Sequence, residues 1–189
     1  ANAILSLRAR YESALLKRVE SRITKRFDRM VMLNESDRRD YEQEMGASGN
    51  IRIVPYGVDV HAFEPGQGNR DFTEIVMTGN MFHPPNVEAV LLFANHIFPI
   101  VQRQVPAARL TLVGSKPAEA IVQLARDNAA VVVTGTVPDV RPYLQRAAVS
   151  VSPIQLKIGT QTKVLEAMAC GTPVVTTSAG NNGVGATDG

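Results

Sequence analysis

Ile158-Gly-Thr-Gln-Thr-Lys-Val-Leu-Glu-Ala-Met-Ala-Cys-Gly-Thr-Pro-Val-Val175 contains a glycine loop, a short helix and the start of a strand. Val164, Leu165, Met168 and Ala169 recur at helical spacing and can pack on a sheet. Lys163 and Glu166 are three apart and share the other face near the helix start. Gly171 is a helix stop, and Pro173 cannot continue the helix. The β-branched run from Pro173 to Thr177 then reads as a strand.

The same unit recurs upstream. Short β-branched runs lie at Glu74–Met77, Arg109–Val113, Ala130–Val133 and Val149–Ser152, several of them apolar on both faces. Gly79, Gly114 and Gly135 follow three of these runs closely. Helical patterns fill about 86–103, 117–127, 139–147 and 162–170. Strands alternating with helices predict an α/β fold: a Rossmann-like, doubly wound parallel sheet from about residue 73 onward. In such a sheet a ligand binds beyond the carboxyl ends of the strands, near the reversal of strand order. The loops at Gly79, Gly114, Gly135 and Gly159 fall at such ends.

The first sixty residues differ. Ile4, Leu7, Tyr11, Leu15, Val19, Ile23 and Phe27 step by three or four, one face of a helix over 4–27. A strand at 29–33, a helix capped by Asn34 or Ser36 and closed by Gly46 and Gly49, and a strand at 51–54 follow. Residues 61–72, with Pro65, Gly66, Gly68 and Asn69, have linker chemistry.

Bulk properties exclude several classes. Hydrophobic residues make up 44% and charged residues 20%, a composition that supports a packed core. The formal charge of +2, with no aromatic-rich basic motif, argues against a nucleic-acid partner. Ten of the twenty Lys and Arg lie in the first forty positions. They read either as a solvated helix face or as a peripheral contact with an anionic membrane. Apolar runs are too short and interrupted for a membrane span, and the chain reads as cytoplasmic. The single cysteine, Cys170, reads as a small packed side chain at a helix end. His61 and His96 lack metal-ligand spacing, so no metal is expected. No Gly-x-Gly-x-x-Gly follows a strand, which counts against a dinucleotide-dependent oxidoreductase.

The loop and helix at 158–170 carry the candidate chemistry. A helix start presents unpaired N–H groups and partial positive charge, which suit a diphosphate. Gly159 allows close approach, Lys163 adds a cation, and Glu166 can accept hydrogen bonds from sugar hydroxyls. The bland alternative is a Lys163–Glu166 pair on a helix. His83 lies in a ligand-facing loop, either merely exposed or in contact with a donor. Arg141 either pairs with Asp139 or meets phosphate.

Lys163-Val-Leu-Glu-Ala-Met-Ala-Cys-Gly-Thr-Pro-Val-Val175 resembles the signature of family 4 (group 1) glycosyltransferases of the GT-B fold. Ile53–Asp59 with Phe63 and Pro65, Met77–Asn86, Leu112–Gly114 and Thr134–Tyr143 resemble further family segments in the same order. Pro85-Asn86 and Asp139–Pro142 are most similar to bacterial sugar transferases of polysaccharide assembly.

The resemblance implies transfer of a sugar from a nucleotide-sugar to a glycan or lipid-linked acceptor, retaining configuration, without metal or other cofactor. It implies that Glu166 holds the ribose and that Gly159, Thr160 and following amides contact the diphosphate. Gly135, Thr136 and Val137 would flank the base, and Gly79 would admit the phosphates. Asn80, His83 and Lys163 complete the expected donor-binding set; the catalytic residues are not assigned. Residues 1–60 would be the distal part of an amino-terminal acceptor domain and 61–72 a linker. Residues 73–189 would be the donor domain, incomplete at its carboxy end, so that this chain binds donor without turnover.

Three positions depart from the family. Ile158 stands where another glutamate is usual, Asn80 and Pro85 replace a basic pair, and Tyr56 replaces an Asn before Gly57. Lys163, with Lys157, is the candidate to supply the missing charge. The departures also fit a non-catalytic nucleotide-sugar-binding or regulatory module.

Overall fold

The computed structural model describes residues 2–46, 49–157 and 159–187, without the side chains of 2–7 and 9. Ile158, singled out above, lies outside the described residues. The chain divides into two compact units, Ala1–Pro55 and Tyr56–Gly189.

The first unit contains helix α1 (Asn2–Thr24), strand β1 (Met30–Met32), helix α2 (Glu35–Met45) and strand β2 (Ile51–Ile53). The two strands are parallel, Met30 opposite Ile51. Asn34, not Ser36, is the cap of α2: its Oδ1 accepts from the Asp37 N–H at 2.8 Å. Gly46, at φ 84°, ends that helix. Helix α1 stops at Thr24, so Phe27 falls outside the expected helix face. Tyr11, Leu15, Val19 and Ile23 are exposed on it.

The second unit is a five-stranded parallel sheet: β3 (Asp71–Thr78), β4 (Arg109–Val113), β5 (Val131–Gly135), β6 (Ala147–Ser152) and β7 (Val174–Thr176). Spatial order is β5-β4-β3-β6-β7, so the winding reverses between β3 and β6. All five follow the β-branched runs, and β3 begins three residues earlier than its run suggests. Alternate residues of β3 enter different cores. Ile75 and Met77 join Val90, Phe93, Phe98, Leu110, Leu112 and Ile121 on one face. Val76 joins Val113, Leu144, Ala167 and Cys170 on the other. A sheet covered on both faces explains why its strands are nearly continuous apolar runs.

Helices α3 (Pro84–Leu92) and α4 (Phe98–Gln104) replace the one helix expected over 86–103. A π-turn, Phe93–Ile97, joins them, and the Phe98 N–H reaches back to the Phe93 carbonyl. Pro99 cannot donate to the preceding turn, so a wider turn before it keeps the axis continuous. Helices α5 (Glu119–Asp127), α6 (Arg141–Arg146) and α7 (Thr162–Ala169) complete the unit, close to their expected spans.

Candidate functional site

The ends of β3, β4 and β5 meet loop to loop. The Gly79 N–H donates to the Val113 carbonyl at 3.0 Å, and the Gly114 N–H to the Gly135 carbonyl at 3.2 Å. The backbones approach so closely that a Cβ on Gly114 would overlap the Gly79 carbonyl oxygen. Gly79 itself has φ 149°, a conformation that strongly favours glycine. These two glycines explain why the strand ends can fuse into one smooth wall.

Facing that wall is the start of α7, and between them lies a cleft of ≈470 Å³. Its lining includes Thr78, Gly79, Asn80, Asn86, Ser115, Thr136, Val137, Lys163 and Glu166. The volume is in the range of small-molecule sites. A groove of ≈680 Å³ beside β7 is larger, but no titratable side chain lines it. Charge and strand ends converge on the first cleft, which we take as the site.

The Lys163–Glu166 pair of the bland alternative does not form. Lys163 Nζ instead donates to Asn86 Oδ1 at 2.6 Å, and Asn86 Nδ2 donates to the Asn80 carbonyl at 2.9 Å. Burial pushes the Lys163 ammonium down to about 8, and Glu166 opposes that shift. Burial raises the Glu166 carboxyl, with Lys163 opposing. Two charges of opposite sign thus share a poorly solvated cleft without touching, which leaves both available to a ligand. The first turn of α7 opens at this end of the cleft, and the Gln161 side chain makes no cap hydrogen bond to it.

The predicted residues are placed unevenly. Gly79, Asn80, Thr136, Val137, Lys163 and Glu166 line the cleft together. Gly135 borders it through its carbonyl bond to Gly114. Gly159, at φ 52°, and Thr160 lie on the approach to α7; Thr160 Oγ1 is buried with no hydrogen-bond partner. His83 is exposed, is the cap residue of α3 and is not in the cleft lining. Arg141 pairs with Asp139 at 2.9 Å and donates to the Ala62 carbonyl, which resolves the choice between pairing and phosphate. Arg141's hydrogen bonds hold the Asp139 carboxyl below its usual range.

Sequence reading missed Asn86, Thr78 and Ser152 as site residues. Thr78 and Ser152 end β3 and β6 at the winding reversal, and both hydroxyls are buried without a partner. They border a ≈10 Å³ cavity together with Asn86 and Lys163. Ser152 closes a run read only as a strand. Asn86 follows Pro84-Pro85 at a helix start, where an amide side chain is usually read as turn chemistry.

Among the described residues, no cluster of three or more His, Cys, Asp or Glu is placed to hold a metal ion. No helix among them is long and apolar enough to cross a membrane.

Comparison with known proteins agrees with this architecture. HepE of Anabaena, solved with UDP and glucose, is 17% identical, with 87% of this chain and 48% of that one aligned and a TM-score of 0.68. Sucrose-phosphate synthase from Thermosynechococcus elongatus is 24% identical over 87% of this chain and 44% of that one, TM-score 0.66. TarM is 17% identical over 84% and 31%, TM-score 0.71. An uncharacterised 44.6 kDa protein in the cps region of Klebsiella pneumoniae is 21% identical over 95% of this chain. This chain spans 46% of that relative's length, and 31–48% of the three structures. Residues 73–188 match the family described as "Glycosyl transferases group 1". With a Rossmann-like parallel sheet of GT-B type, a strand-end cleft and that match across more than half its length, the chain belongs to the group 1 glycosyltransferases.

Proposed function

We propose that the cleft binds the nucleotide-sugar donor of a glycosyltransferase acting in polysaccharide assembly. The supporting observation is the convergence of Lys163, Glu166, the start of α7 and the close-approach loop at Gly79 on one cleft. The diphosphate lies against the first turn of α7, where N–H groups and Lys163 meet its charge. Glu166, one turn further in, accepts from the ribose hydroxyls. Main-chain groups of Gly135, Thr136 and Val137 flank the base. His83 joins the site through its loop if a bound donor draws that loop inward.

Transfer proceeds with retention and without metal, as the family implies. The departing diphosphate is stabilised by fixed dipoles and the Lys163 cation at the place where charge develops. Residues 1–60 form the distal part of the acceptor domain, which holds a glycan or lipid-linked acceptor. The protein is cytoplasmic, and its basic first forty residues either form a solvated helix face or meet the inner face of a membrane. This chain spans about half the length of the relatives it matches or less, and on this reading it binds donor without turnover.

A thermal-shift screen against UDP, GDP and ADP and their sugars tests the reading. A ligand at a hundred times its dissociation constant should add about 2.7 kcal/mol of stability. Glu166→Ala should weaken nucleoside diphosphates about tenfold while leaving inorganic pyrophosphate nearly unchanged. A flat response to every nucleotide would refute donor binding. Binding by a longer protein without transfer to any acceptor would favour the regulatory-module reading, for which Ile158, Asn80 and Pro85 speak.

A further inference from the structure

The β3–α3 loop has no basic pair, since Asn80 and Pro85 stand there, whereas the ligand proposed for the cleft carries a diphosphate. Among the described residues lining the cleft, Lys163 is the one cation, and it arrives from the opposite side, on α7. A lysine has a long, flexible stem, so something must fix where its ammonium rests. Asn86 does this. Its Nδ2 is committed to the Asn80 carbonyl at 2.9 Å, which turns Oδ1 toward Lys163 Nζ at 2.6 Å. The amide therefore has a defined orientation, held at both ends.

The position is also confined sterically. A Cβ on Gly79 would lie 3.1 Å from Asn86 Nδ2 and 3.4 Å from Lys163 Nζ, so glycine leaves room for the pair. One ammonium proton goes to Asn86, and two remain for a ligand. The neutrality of the holder matters. An aspartate in its place would hold Lys163 more tightly but cancel its charge, whereas the amide fixes the ammonium and leaves its full charge for an anion.

We propose that Asn86 is a positioning residue that aims Lys163 across the cleft, so that α7 supplies the diphosphate cation in place of the first-loop basic pair. This rests on the donor-binding reading above. The titratable group facing Lys163 is Glu166, on its own helix; from β3, α3, β4, β5 and β6 the lining is Thr78, Asn86, Ser115, Thr136 and Ser152. Burial already holds Lys163 near 8, so the ammonium loses its proton just above neutrality in the free protein.

Calorimetric titration of this chain with UDP, GDP, ADP, their monophosphates and inorganic pyrophosphate, from about pH 7 to about pH 9.5, tests the assignment. Circular dichroism melts check that each variant is folded. The preference for diphosphate over monophosphate should fall about tenfold as pH rises through that window. Lys163→Met should abolish both the preference and its pH dependence, and Lys163→Arg should keep the preference at high pH. Asn86→Ala should reduce the preference several-fold. Asn86→Asp should reduce it further while moving the pH midpoint upward, because an adjacent carboxylate favours the ammonium. A merely structural Asn86 would lower affinity for all ligands alike and leave the midpoint in place, which would overturn the proposal. Diphosphate binding insensitive to Lys163→Met would overturn it while leaving the donor site standing. Failure of every diphosphate to bind the unmodified chain would overturn both.

Discussion

At the residue scale, the cleft stores an electrostatic cost. Lys163 has a pKa lowered by burial from 10.5 to about 8, so the folded state disfavours its charge. Below about pH 8 both folded and unfolded states carry the proton, and the full penalty applies. Between about 8 and 10.5 the unfolded chain binds more protons than the folded one, so stability rises with pH. Comparison with Lys163→Met across this window should show a relative gain of about 2 kcal/mol for the ligand-free protein, read from urea midpoints. A diphosphate should remove the difference by compensating the charge. Gly114 belongs to the same scale. Gly114→Ala places a methyl on the Gly79 carbonyl, backbone against backbone, with no flexible group to yield. We expect a loss of about 3 kcal/mol by urea denaturation, together with loss of nucleotide response, since Gly79 must move.

At the element scale, α7 is the part that matters, because it carries both charged residues of the cleft. Its far end is held by Arg70. The guanidinium donates to the carbonyls of Ala147 and Cys170, at 2.9 and 3.1 Å, and to Thr172 Oγ1 at 3.1 Å. A cation at a helix carboxyl end also suits the dipole. Thr172 Oγ1 in turn donates to the Leu144 carbonyl, tying the turn after α7 to α6. Arg70→Met should therefore cost ~2–4 kcal/mol by chemical denaturation. It should also weaken diphosphate binding without changing its pH midpoint, the mark of a helix displaced as a body. Arg70 lies in a stretch with linker composition, and nothing in its local sequence signals that it fastens a helix a hundred residues away.

At the scale of the whole molecule, every residue of the cleft belongs to Tyr56–Gly189, which also contains both clusters of the sheet core. The first unit has few buried residues; Thr24, Asn34 and Ile51 are the clear cases among those described. Residues 56–189 expressed alone should fold and should bind diphosphates within about twofold of the longer chain, measured by calorimetry. A large loss of affinity would assign part of the site to the first unit.

Local chemistry was enough to read the strand–helix alternation, because both periodicities are carried by contiguous residues: β-branched runs buried on two faces, and apolar side chains every three or four positions. It was enough to mark Gly79, Lys163 and Glu166 as candidates and Gly171 as a helix stop, since each is a local signal. Folding decided the rest. The Asn86–Lys163 bond spans 77 positions and the Arg70–Thr172 bond 102. Lys163 meets Asn86 rather than Glu166 only once α3 and α7 flank the cleft, and the two unpaired hydroxyls at the winding reversal exist only once β3 and β6 lie side by side. Periodicity records which face of an element is buried, but not which distant side chain completes a hydrogen bond there, and the partner chosen sets the charge of the cleft.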